Sequence, residues 1–338
     1  MRALIIGIDG QDGFYLTEFL HSKGYEVYGV VRKKTGLRLE NSRPESARYH
    51  QIFADLMDFT SIVNAIKEAS PDEIYNFAGQ SEIPISWHQP IITAQVNGVG
   101  VTLLLEAIRL LDPKIKLFQA SSSEMFGQNQ EQPLTENSRF MPRNPYGTAK
   151  LFAHWSISNY REKYGIFCCS GILFNHESPR RGPEFVTRKI TMAAAAISLG
   201  RQHILELGDL NAVRDWGYAG DYVRAMWLML QQDTPNDYII ATGESHTVRE
   251  FATCAFAAAG IDLEWTGKDY EEVGLNKETR KAVIRIDPKL CRGQKNDCIC
   301  ADPSCIQRKL GFISEHSFDE MITEMISFDK ALLLRKEK

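Results

Sequence analysis

The chain has 338 residues, of which 43% are hydrophobic and 24% are charged, with 39 Lys+Arg against 43 Asp+Glu. This length allows one large domain or two modest ones, and the composition is that of a globular protein rather than a disordered or fibrous one. The net charge of −4 gives no general attraction for polyanions, so nucleic acid is not an expected partner.

Neither a membrane span nor secretion is expected. No uninterrupted apolar run approaches the roughly 18 to 20 residues that cross a bilayer, and Gly7 interrupts the apolar N-terminal segment before a signal-type region forms. The seven cysteines are odd in number, which together with the missing signal predicts reduced thiols in a cytoplasmic protein.

Strand candidates alternate with helical patterns through the first half of the chain. Residues 3–8 form an apolar run without polar alternation, which predicts a strand buried on both faces, as in parallel sheets. Further candidates, with a helix at 93–111 before the last of them, are 25–31, 49–55, 73–78 and 116–121. Repeated βαβ units predict a doubly wound, Rossmann-like parallel sheet.

The pattern becomes less regular after about residue 171. Loop-rich stretches at 175–184 and 264–281 mix with helices such as 248–259, which predicts a smaller mixed α/β substrate-binding domain. The apolar helix at 221–230 is expected to return to the first domain. We therefore predict a dinucleotide-binding domain at 1–174, joined by 214–244, and a substrate-binding domain within 175–338.

A glycine triplet follows the first predicted strand. Gly7, Gly10 and Gly13 form a GxxGxxG pattern that opens the next helix, and this pattern lets the backbone approach a pyrophosphate at the helix N-terminus. The alternative interpretation is a tight turn without a ligand. Residues further along the chain decide between the two.

Basic residues follow the second predicted strand, where NAD-specific proteins usually carry an acid for the ribose 2′-hydroxyl. Arg32, Lys33 and Lys34 would pair with a 2′-phosphate, so NADP is favoured over NAD, although a solvated basic loop is the alternative. Asp55 and Leu56, after the third strand, are placed to contact an adenine.

Tyr146 and Lys150 form a YxxxK pair at positions i and i+4. On a helix both side chains project from one face about one turn apart, and an ammonium beside a phenol favours the phenolate. A tyrosine that takes a proton from a carbinol near neutral pH needs this help, because its free pKa is about 10.

A run of hydroxyls and an acid stands at the carboxyl end of the fifth predicted strand, where open α/β sheets bind ligands. Ser122 and Ser123 can polarise a substrate oxygen. Glu124 can remove a proton alpha to a newly formed ketone, which a plain reductase does not need. An exposed or helix-capping glutamate is the alternative.

These residues lie in longer strings that resemble the extended short-chain dehydrogenase/reductase family and, within it, the branch of GDP-mannose 4,6-dehydratases. The resemblance covers nearly the whole chain and is dense up to about residue 274. The strings that carry it are GIDGQDGFYLTEFL (7–20), QASSSEMFG (119–127), PRNPYGTAK (142–150), GILFNHESPRRG (171–182), FVTRKI (185–190), RDWGYAGDYVRAMWLMLQ (214–231) and ATGESHTVREF (241–251).

The resemblance implies an internal redox cycle on a nucleotide sugar. Tyr146 takes the C4 hydroxyl proton while hydride passes to NADP, Lys150 holds the tyrosine ready, and Ser122 orients the hydroxyl. Glu124 then removes the C5 proton and assists loss of the C6 hydroxyl as water, with Ser123 as a candidate hydrogen-bonding partner, and hydride returns to C6. NADP is accordingly expected to stay bound, and no metal is expected.

The resemblance also implies the binding residues. Those expected to contact NADP are Gly7, Gly10, Gln11, Asp12, Gly13, Arg32, Asp55, Leu56, Ala78, Gln80, Tyr146, Lys150, His176 and Arg181. Those expected to contact the nucleotide sugar are Ser81, Ser86, Asn175, Val186, Lys189, Arg214 and Arg292. For His176, a structural hydrogen bond is favoured over a role as general base.

The SPRRG loop at 178–182 reaches a neighbouring subunit's cofactor in family members that form tetramers, so a homodimer or homotetramer is expected. Some positions depart from the family. Asp9 and Ser122 replace threonines, the basic arm after Arg32 is short, Glu82 replaces a histidine, and Lys295 replaces a glutamate thought to hold the nucleotide ribose.

These departures leave the sugar and nucleotide less certain than the reaction type. GDP-manno-heptose is an alternative substrate, and a 4-epimerase or 4-reductase of the same family is an alternative activity. A non-catalytic NADP-binding regulator is a third hypothesis, which a YxxxK pair disfavours. Cys291, Cys298, Cys300 and Cys305 cluster near Lys295 without the CxxC spacing of a zinc site.

Overall fold

The computed structural model describes residues 1–32, 48–129, 131–291 and 298–335. The strands, in chain order, are β1 (Arg2–Ile6), β2 (Glu26–Val31), β3 (His50–Phe53), β4 (Glu73–Asn76), β5 (Lys116–Ala120), β6 (Cys168–Leu173), β7 (Asn175–Glu177), β8 (Leu205–Leu207), β9 (Val213–Arg214), β10 (Trp216–Tyr218), β11 (Tyr238–Ile240), β12 (His246–Thr247), β13 (Leu263–Thr266), β14 (Val273–Asn276), β15 (Ala282–Ile286) and β16 (Cys298–Ile299).

Helices separate most of these strands. In chain order they are α1 (Gln11–Ser22), α2 (Phe59–Ala69), α3 (Ile83–His88), α4 (Pro90–Ala94), α5 (Gly100–Leu111), α6 (Pro145–Tyr164), α7 (Val186–Ser198), α8 (Ala219–Leu230), α9 (Val248–Ala258), α10 (Ser304–Leu310) and α11 (Phe318–Arg335).

A parallel sheet forms the centre of the first of two compact units. Within the described residues it has seven strands in the order β11-β6-β5-β4-β1-β2-β3, and every neighbouring pair is parallel. The chain starts in the middle and winds outward in both directions, so the predicted doubly wound Rossmann-like sheet is confirmed. The carboxyl ends of these strands lie along one edge, where such sheets bind their ligands.

Strand β1 shows why the sheet is buried on both faces. Ala3 and Ile5 belong to one hydrophobic cluster, with side chains of α1 and α8, while Leu4 and Ile6 belong to the other, with α2 and α5. These four side chains are at most 2% exposed. Because fully burying an aliphatic side chain contributes about 1.5–3 kcal/mol, the apolar run specifies this central position.

The helix predicted at 93–111 differs in detail from the observed one. Helix α4 ends at Ala94, one wide π-helical turn covers Gln95–Val99, and α5 follows without a break. The extra residue in the turn cannot be seen in the apolar periodicity. It has a consequence for the site because it presents Asn97, which is 1% exposed.

The second compact unit is mixed α/β, as predicted. It contains a four-stranded sheet in the order β13-β14-β15-β8 and smaller sheets of β12-β9-β16 and β10-β7, counted over the described residues. The stretch 264–281 was predicted to be loop-rich and instead carries part of β13 and all of β14. These strands have four residues each, too few for a clear alternation.

The two units divide the chain discontinuously. The first comprises 1–174, 219–241 and 302–313, and the second comprises the described residues of 175–218, 242–301 and 314–338. Segment 302–313 contains α10, whose Ile306 joins the same hydrophobic cluster as Ala3 and Ile5.

One helical stretch of the described chain, Pro90–Leu111, is long and apolar enough to cross a membrane by length and composition. Half of its most apolar window is buried within the protein. Core helices of globular proteins pass the same test, so this stretch is weak evidence for a span.

Candidate active site

The glycine turn is shaped by close backbone approaches. Gly7 has a φ of +88°, and a Cβ there would lie 2.8 Å from the backbone nitrogen of Ala78. A Cβ on Gly13 would lie 2.5 Å from Cα of Ile8. Gly10 is the N-cap of α1, and among the described residues no side chain caps this helix. The turn therefore leaves a helix N-terminus open to an anion, as a pyrophosphate requires.

Asp9 is held within this turn by a tyrosine. The Tyr49 hydroxyl donates to Asp9 Oδ1 at 3.2 Å, and Gln11 Nε2 lies 3.4 Å from Asp12 Oδ1 in the first turn of α1. Arg32 is exposed at the end of β2. Lys33 and Lys34, predicted to meet a 2′-phosphate, lie outside the described residues.

The two residues predicted to contact adenine differ in their surroundings. Asp55 is exposed, and its Oδ1 accepts a hydrogen bond from the backbone nitrogen of Met57 at 2.9 Å. Leu56 is 4% exposed and packs in the cluster that contains α5, close to Gly100. Its side chain supports the sheet, and a contact with adenine remains a prediction.

The segment after β4 is fixed by Asn97, a residue that the sequence analysis missed. Asn97 Oδ1 accepts from the backbone nitrogen of Gln80, and its Nδ2 donates to the carbonyl of Gln80, both at 2.8 Å. The Gln80 side chain donates in turn to the carbonyl of Glu82 at 2.7 Å. Ser81 is exposed, whereas Ser86 is buried and donates to a carbonyl within its own helix.

Strand β5 delivers the predicted hydroxyls and acid. Ser122 and Ser123 are both buried, and a short 3-10 turn, Ser123–Met125, follows the strand. Ser122 Oγ accepts from the backbone nitrogen of Glu124 at 3.2 Å. Glu124 Oε2 accepts from Nδ2 of Asn144 at 2.8 Å. The acid is therefore held next to the start of α6.

Helix α6 carries the YxxxK pair. It starts at Pro145 behind the N-cap Asn144, and the Lys150 ammonium nitrogen lies 5.8 Å from the centre of the Tyr146 ring. Lys150 Nζ also donates to the carbonyl of Ala120 at the end of β5, at 2.9 Å. The structure thus brings Ser122, Glu124, Tyr146 and Lys150 together around one strand end and one helix start.

The charge on Lys150 is predicted to set a basic limit on activity. Burial lowers the pKa of Lys150 to about 8, with the carboxylate of Asp12 acting in the opposite direction. The ammonium is therefore lost as the pH rises through about 8, whereas an ordinary lysine keeps its proton to about pH 10. Because the cation favours the Tyr146 phenolate, we expect kcat to fall above about pH 8.

The variant Lys150→Arg tests this assignment. A guanidinium stays protonated throughout the range, so the fall above about pH 8 should disappear even though kcat is lower overall. The measurement is kcat from pH 6 to 10 for both proteins, a range chosen around the reference values. If kcat of the arginine variant still fell above about pH 8, the fall would belong to the titration of another group.

In the second unit, candidate substrate residues lie at the start of α7. Val186 and Lys189 are exposed, three residues apart on one face of the first turn. Among the described residues no side chain caps this helix. An ammonium beside a helix N-terminus suits a diphosphate. Asn175 is half-buried in β7 and pairs with Trp216 of β10.

Arg214 lies in the middle strand of a small sheet. Its strand, β9, pairs with β12 on one side and β16 on the other, and its Nη1 donates to the carbonyl of Val213 at 2.8 Å. The next residue, Asp215, is buried and accepts from the backbone nitrogens of Thr242 and Gly243 at 3.0 and 2.7 Å. Burial raises the pKa of Asp215 to about 6, while the hydrogen bonds from these two donors act to lower it.

Arg181 is anchored within its own chain. Its Nε lies 3.1 Å from Oε2 of the buried Glu177, and its guanidinium lies 3.6 Å from the centre of the Phe185 ring. Thr187 donates to the same carboxylate oxygen at 2.6 Å. His176 is 7% exposed in β7. Contacts of Arg181 and His176 with a cofactor remain predictions.

Arg292 and Lys295 lie outside the described residues. Among the described residues no group of three or more His, Cys, Asp or Glu side chains is arranged to hold a metal ion. Cys291, Cys300 and Cys305 are free thiols.

Comparison with known proteins identifies the family. A family model described as GDP-mannose 4,6 dehydratase matches residues 4–325. The GDP-mannose 4,6 dehydratase of Cricetulus griseus is 47% identical over 98% of this chain and 92% of its own length, and that of Yersinia enterocolitica is 44% identical over 97% and 93%.

The fold is shared with solved structures of related enzymes. The UDP-glucose 4-epimerase of Thermus thermophilus, solved with NAD, is 25% identical and superposes with a TM-score of 0.80 over 98% of this chain and 99% of that one. The resemblance inferred from the sequence strings is confirmed by these matches. The chain belongs to the GDP-mannose 4,6-dehydratase family, an enzymatic family of hydro-lyases.

Proposed function

We propose that this chain is a 4,6-dehydratase that converts GDP-mannose to GDP-4-keto-6-deoxymannose and retains NADP. The observation that carries the proposal is the position of Glu124, held by Asn144 at the start of the helix that carries Tyr146 and Lys150. An oxidation at C4 needs only the tyrosine and the lysine. A carboxylate beside them serves a second proton transfer, which dehydration requires.

The residues of the first unit fit a dinucleotide. Gly7 lies against the backbone of Ala78 with no room for a Cβ, and among the described residues no side chain caps α1, so the N-terminus of this helix is left to bind an anion. Gly10, Gly13 and Arg32 would hold the pyrophosphate and the 2′-phosphate, and Asp55 would face the adenosine. When bound, NADP supplies the acceptor and donor of hydride. We assign the binding of NADP to the first unit.

The chain's own side chains then move the protons. Tyr146 takes the proton of the C4 hydroxyl, and Lys150 keeps the phenol ready to do so. Ser122 orients the hydroxyl. Glu124 takes the C5 proton, which the 4-ketone has made acidic, and passes a proton to the departing C6 hydroxyl, which leaves as water. Ser123 supports this step. C5 is protonated again when hydride returns to C6, in sum with the proton that Tyr146 had taken from the C4 hydroxyl, so the cycle as a whole loses one water molecule.

We assign the nucleotide diphosphate to the second unit. Lys189 at the start of α7 and Arg214 in β9 supply positive charge, Val186 supplies an apolar contact, and Asn175 in β7 supplies an amide. Opposite charge suits both lysine and arginine to phosphates, and arginine adds bidentate hydrogen bonding. Arg292 is assigned to the same ligand on the family resemblance alone.

The test is parallel incubation of the purified protein with GDP-mannose and GDP-manno-heptose, without added cofactor, followed by liquid chromatography and mass spectrometry, which separates an isomeric product from unreacted substrate. The expected product of GDP-mannose has lost one water molecule. Water loss from the heptose alone would move the substrate to that sugar and keep the reaction. A product of unchanged mass from both would favour a 4-epimerase, and no product from either would favour a non-catalytic protein.

We further propose a homodimer formed through α3, α4 and α6. Large apolar side chains there are exposed, Ile91 by 72% and Trp87 by 61%, and Phe152 and Trp155 by 53% each. Trp87 and Phe152 also line an apolar pocket of about 620 Å³, together with Pro90 and Val99. Exposed patches of this kind mark protein interfaces.

The free thiols of the described cysteines suit a reducing compartment, so we place the protein in the cytoplasm.

The variant Ile91→Lys is expected to convert the dimer to a monomer, because it buries an unpaired charge in the interface. Light scattering coupled to gel filtration measures the mass. Tyr270→Lys, at a similarly exposed aromatic of the second unit, should leave the dimer intact. An unchanged mass for Ile91→Lys would place the interface elsewhere. If the wild-type protein proved to be a tetramer, a second interface would be required.

A further inference from the structure

Asn144 stands between the proposed acid and the proposed redox pair, and no step described above uses it. Its Nδ2 donates to Glu124 Oε2 at 2.8 Å, and its Oδ1 accepts from the backbone nitrogen of Gly147 at 2.7 Å. The side chain is buried, with an exposed fraction of 7%. One amide therefore links the carboxylate to the first turn of α6.

The orientation of this amide follows from its two partners. The backbone nitrogen of Gly147 can only donate, so the oxygen of Asn144 must face it. The NH₂ end then faces the carboxylate of Glu124, which accepts. A carboxylate has two oxygens, so a bond at Oε2 restrains the orientation of the group while Oε1 remains able to take a proton.

The backbone around Glu124 is packed against the same turn. A Cβ on Gly147 would lie 2.5 Å from the carbonyl oxygen of Glu124, so this turn of α6 lies directly on the acid's backbone. The backbone nitrogen of Glu124 donates to Ser122 Oγ. With the main chain fixed on both sides, the Asn144 bond is the side-chain hydrogen bond that orients the Glu124 carboxyl group among the described residues.

We propose that Asn144 is a positioning residue for the elimination step: its amide orients the Glu124 carboxylate for removal of the C5 proton and ties it to the helix of Tyr146 and Lys150. This rests on the proposed function. The prediction is specific to elimination, because oxidation at C4 does not use Glu124.

The helix-capping role of Asn144 can be separated from this role. Serine and aspartate cap helices about as well as asparagine, so Asn144→Ser and Asn144→Asp should both preserve the start of α6. Neither supplies an N–H to Glu124, and the aspartate adds a like charge beside it. We expect elimination to slow about tenfold in the serine variant, and further in the aspartate variant.

The readouts are rapid-mixing absorbance of the reduced nicotinamide and exchange of the C5 hydrogen in deuterated solvent. Oxidation at C4 should keep its wild-type rate in both variants while elimination slows, so the fraction of enzyme with reduced cofactor during turnover should rise. C5 exchange should slow in parallel. Thermal unfolding checks that the helix cap is kept.

The matched control changes the N-cap residue of a different helix. Ser317 Oγ accepts from the backbone nitrogen of Glu320 at the start of α11, in the second unit, and Ser317→Asn should leave the reduced fraction unchanged. Wild-type behaviour of both Asn144 variants would overturn the proposal, as would an equal slowing of C4 oxidation and elimination. A wild-type enzyme that forms no dehydrated product would instead overturn the proposed function, and the positioning role with it.

Discussion

Replacing Tyr146 by phenylalanine should lower kcat by about a thousandfold while the cofactor stays bound, a size typical of losing a general acid–base group. The change removes the hydroxyl that accepts the C4 proton and almost no volume. Lys150 keeps its bond to the carbonyl of Ala120, so the start of α6 should remain in place. The measurements are kcat and the nicotinamide retained after gel filtration.

Tyr164→Phe is the matched control for this variant. Tyr164 lies at the other end of the same helix and is 47% exposed, so loss of its hydroxyl should not alter kcat. Turnover of Tyr146→Phe within a few-fold of the wild type would show that another group takes the proton. Loss of the bound nicotinamide in that variant would point to a binding role instead.

Replacing Glu124 by glutamine should block dehydration and spare oxidation at C4. Glutamine keeps the size of the side chain and removes its capacity to take the C5 proton, which predicts a loss of about 10²- to 10⁴-fold in product formation. The enzyme should therefore accumulate in the form with reduced cofactor after mixing with substrate. Absorbance of the reduced nicotinamide and the mass of the product measure the two steps separately.

This variant separates the dehydratase from its alternatives within the fold. A 4-epimerase or 4-reductase has no use for proton removal at C5, so retained activity in Glu124→Gln would contradict the proposed reaction. Glu162→Gln, at an exposed glutamate of α6, is the control for loss of a carboxylate on the same helix. It should leave both steps unchanged.

The first unit could be predicted because its signals are local and strong. The apolar run of β1 has no polar alternation, and this requires burial on both faces, which only a central parallel strand provides. The glycines follow within a few residues and admit the close approach of Ala78. The YxxxK spacing likewise places Tyr146 and Lys150 on one helix face without knowledge of the rest of the fold.

The parts that could not be predicted depend on long-range contacts or very short elements. Asn97 and Asn144 act on Gln80 and Glu124, 17 and 20 residues away in sequence, and no periodicity reports such a pair. An asparagine directly before Pro145 is, however, a helix-start signal that could have identified Asn144 as a cap. The packing of the Leu56 side chain in the core could not be predicted from its position after β3, whereas its contact with adenine stays a prediction.

The central claim, an internal redox cycle with loss of water, is tested most directly with GDP-mannose that carries deuterium at C4. The purified protein is incubated with this substrate without added cofactor, and the product is analysed by mass spectrometry and NMR. The account predicts a product that has lost one water molecule and carries the deuterium at C6. A product of unchanged mass, or one that has lost water without deuterium at C6, would contradict it.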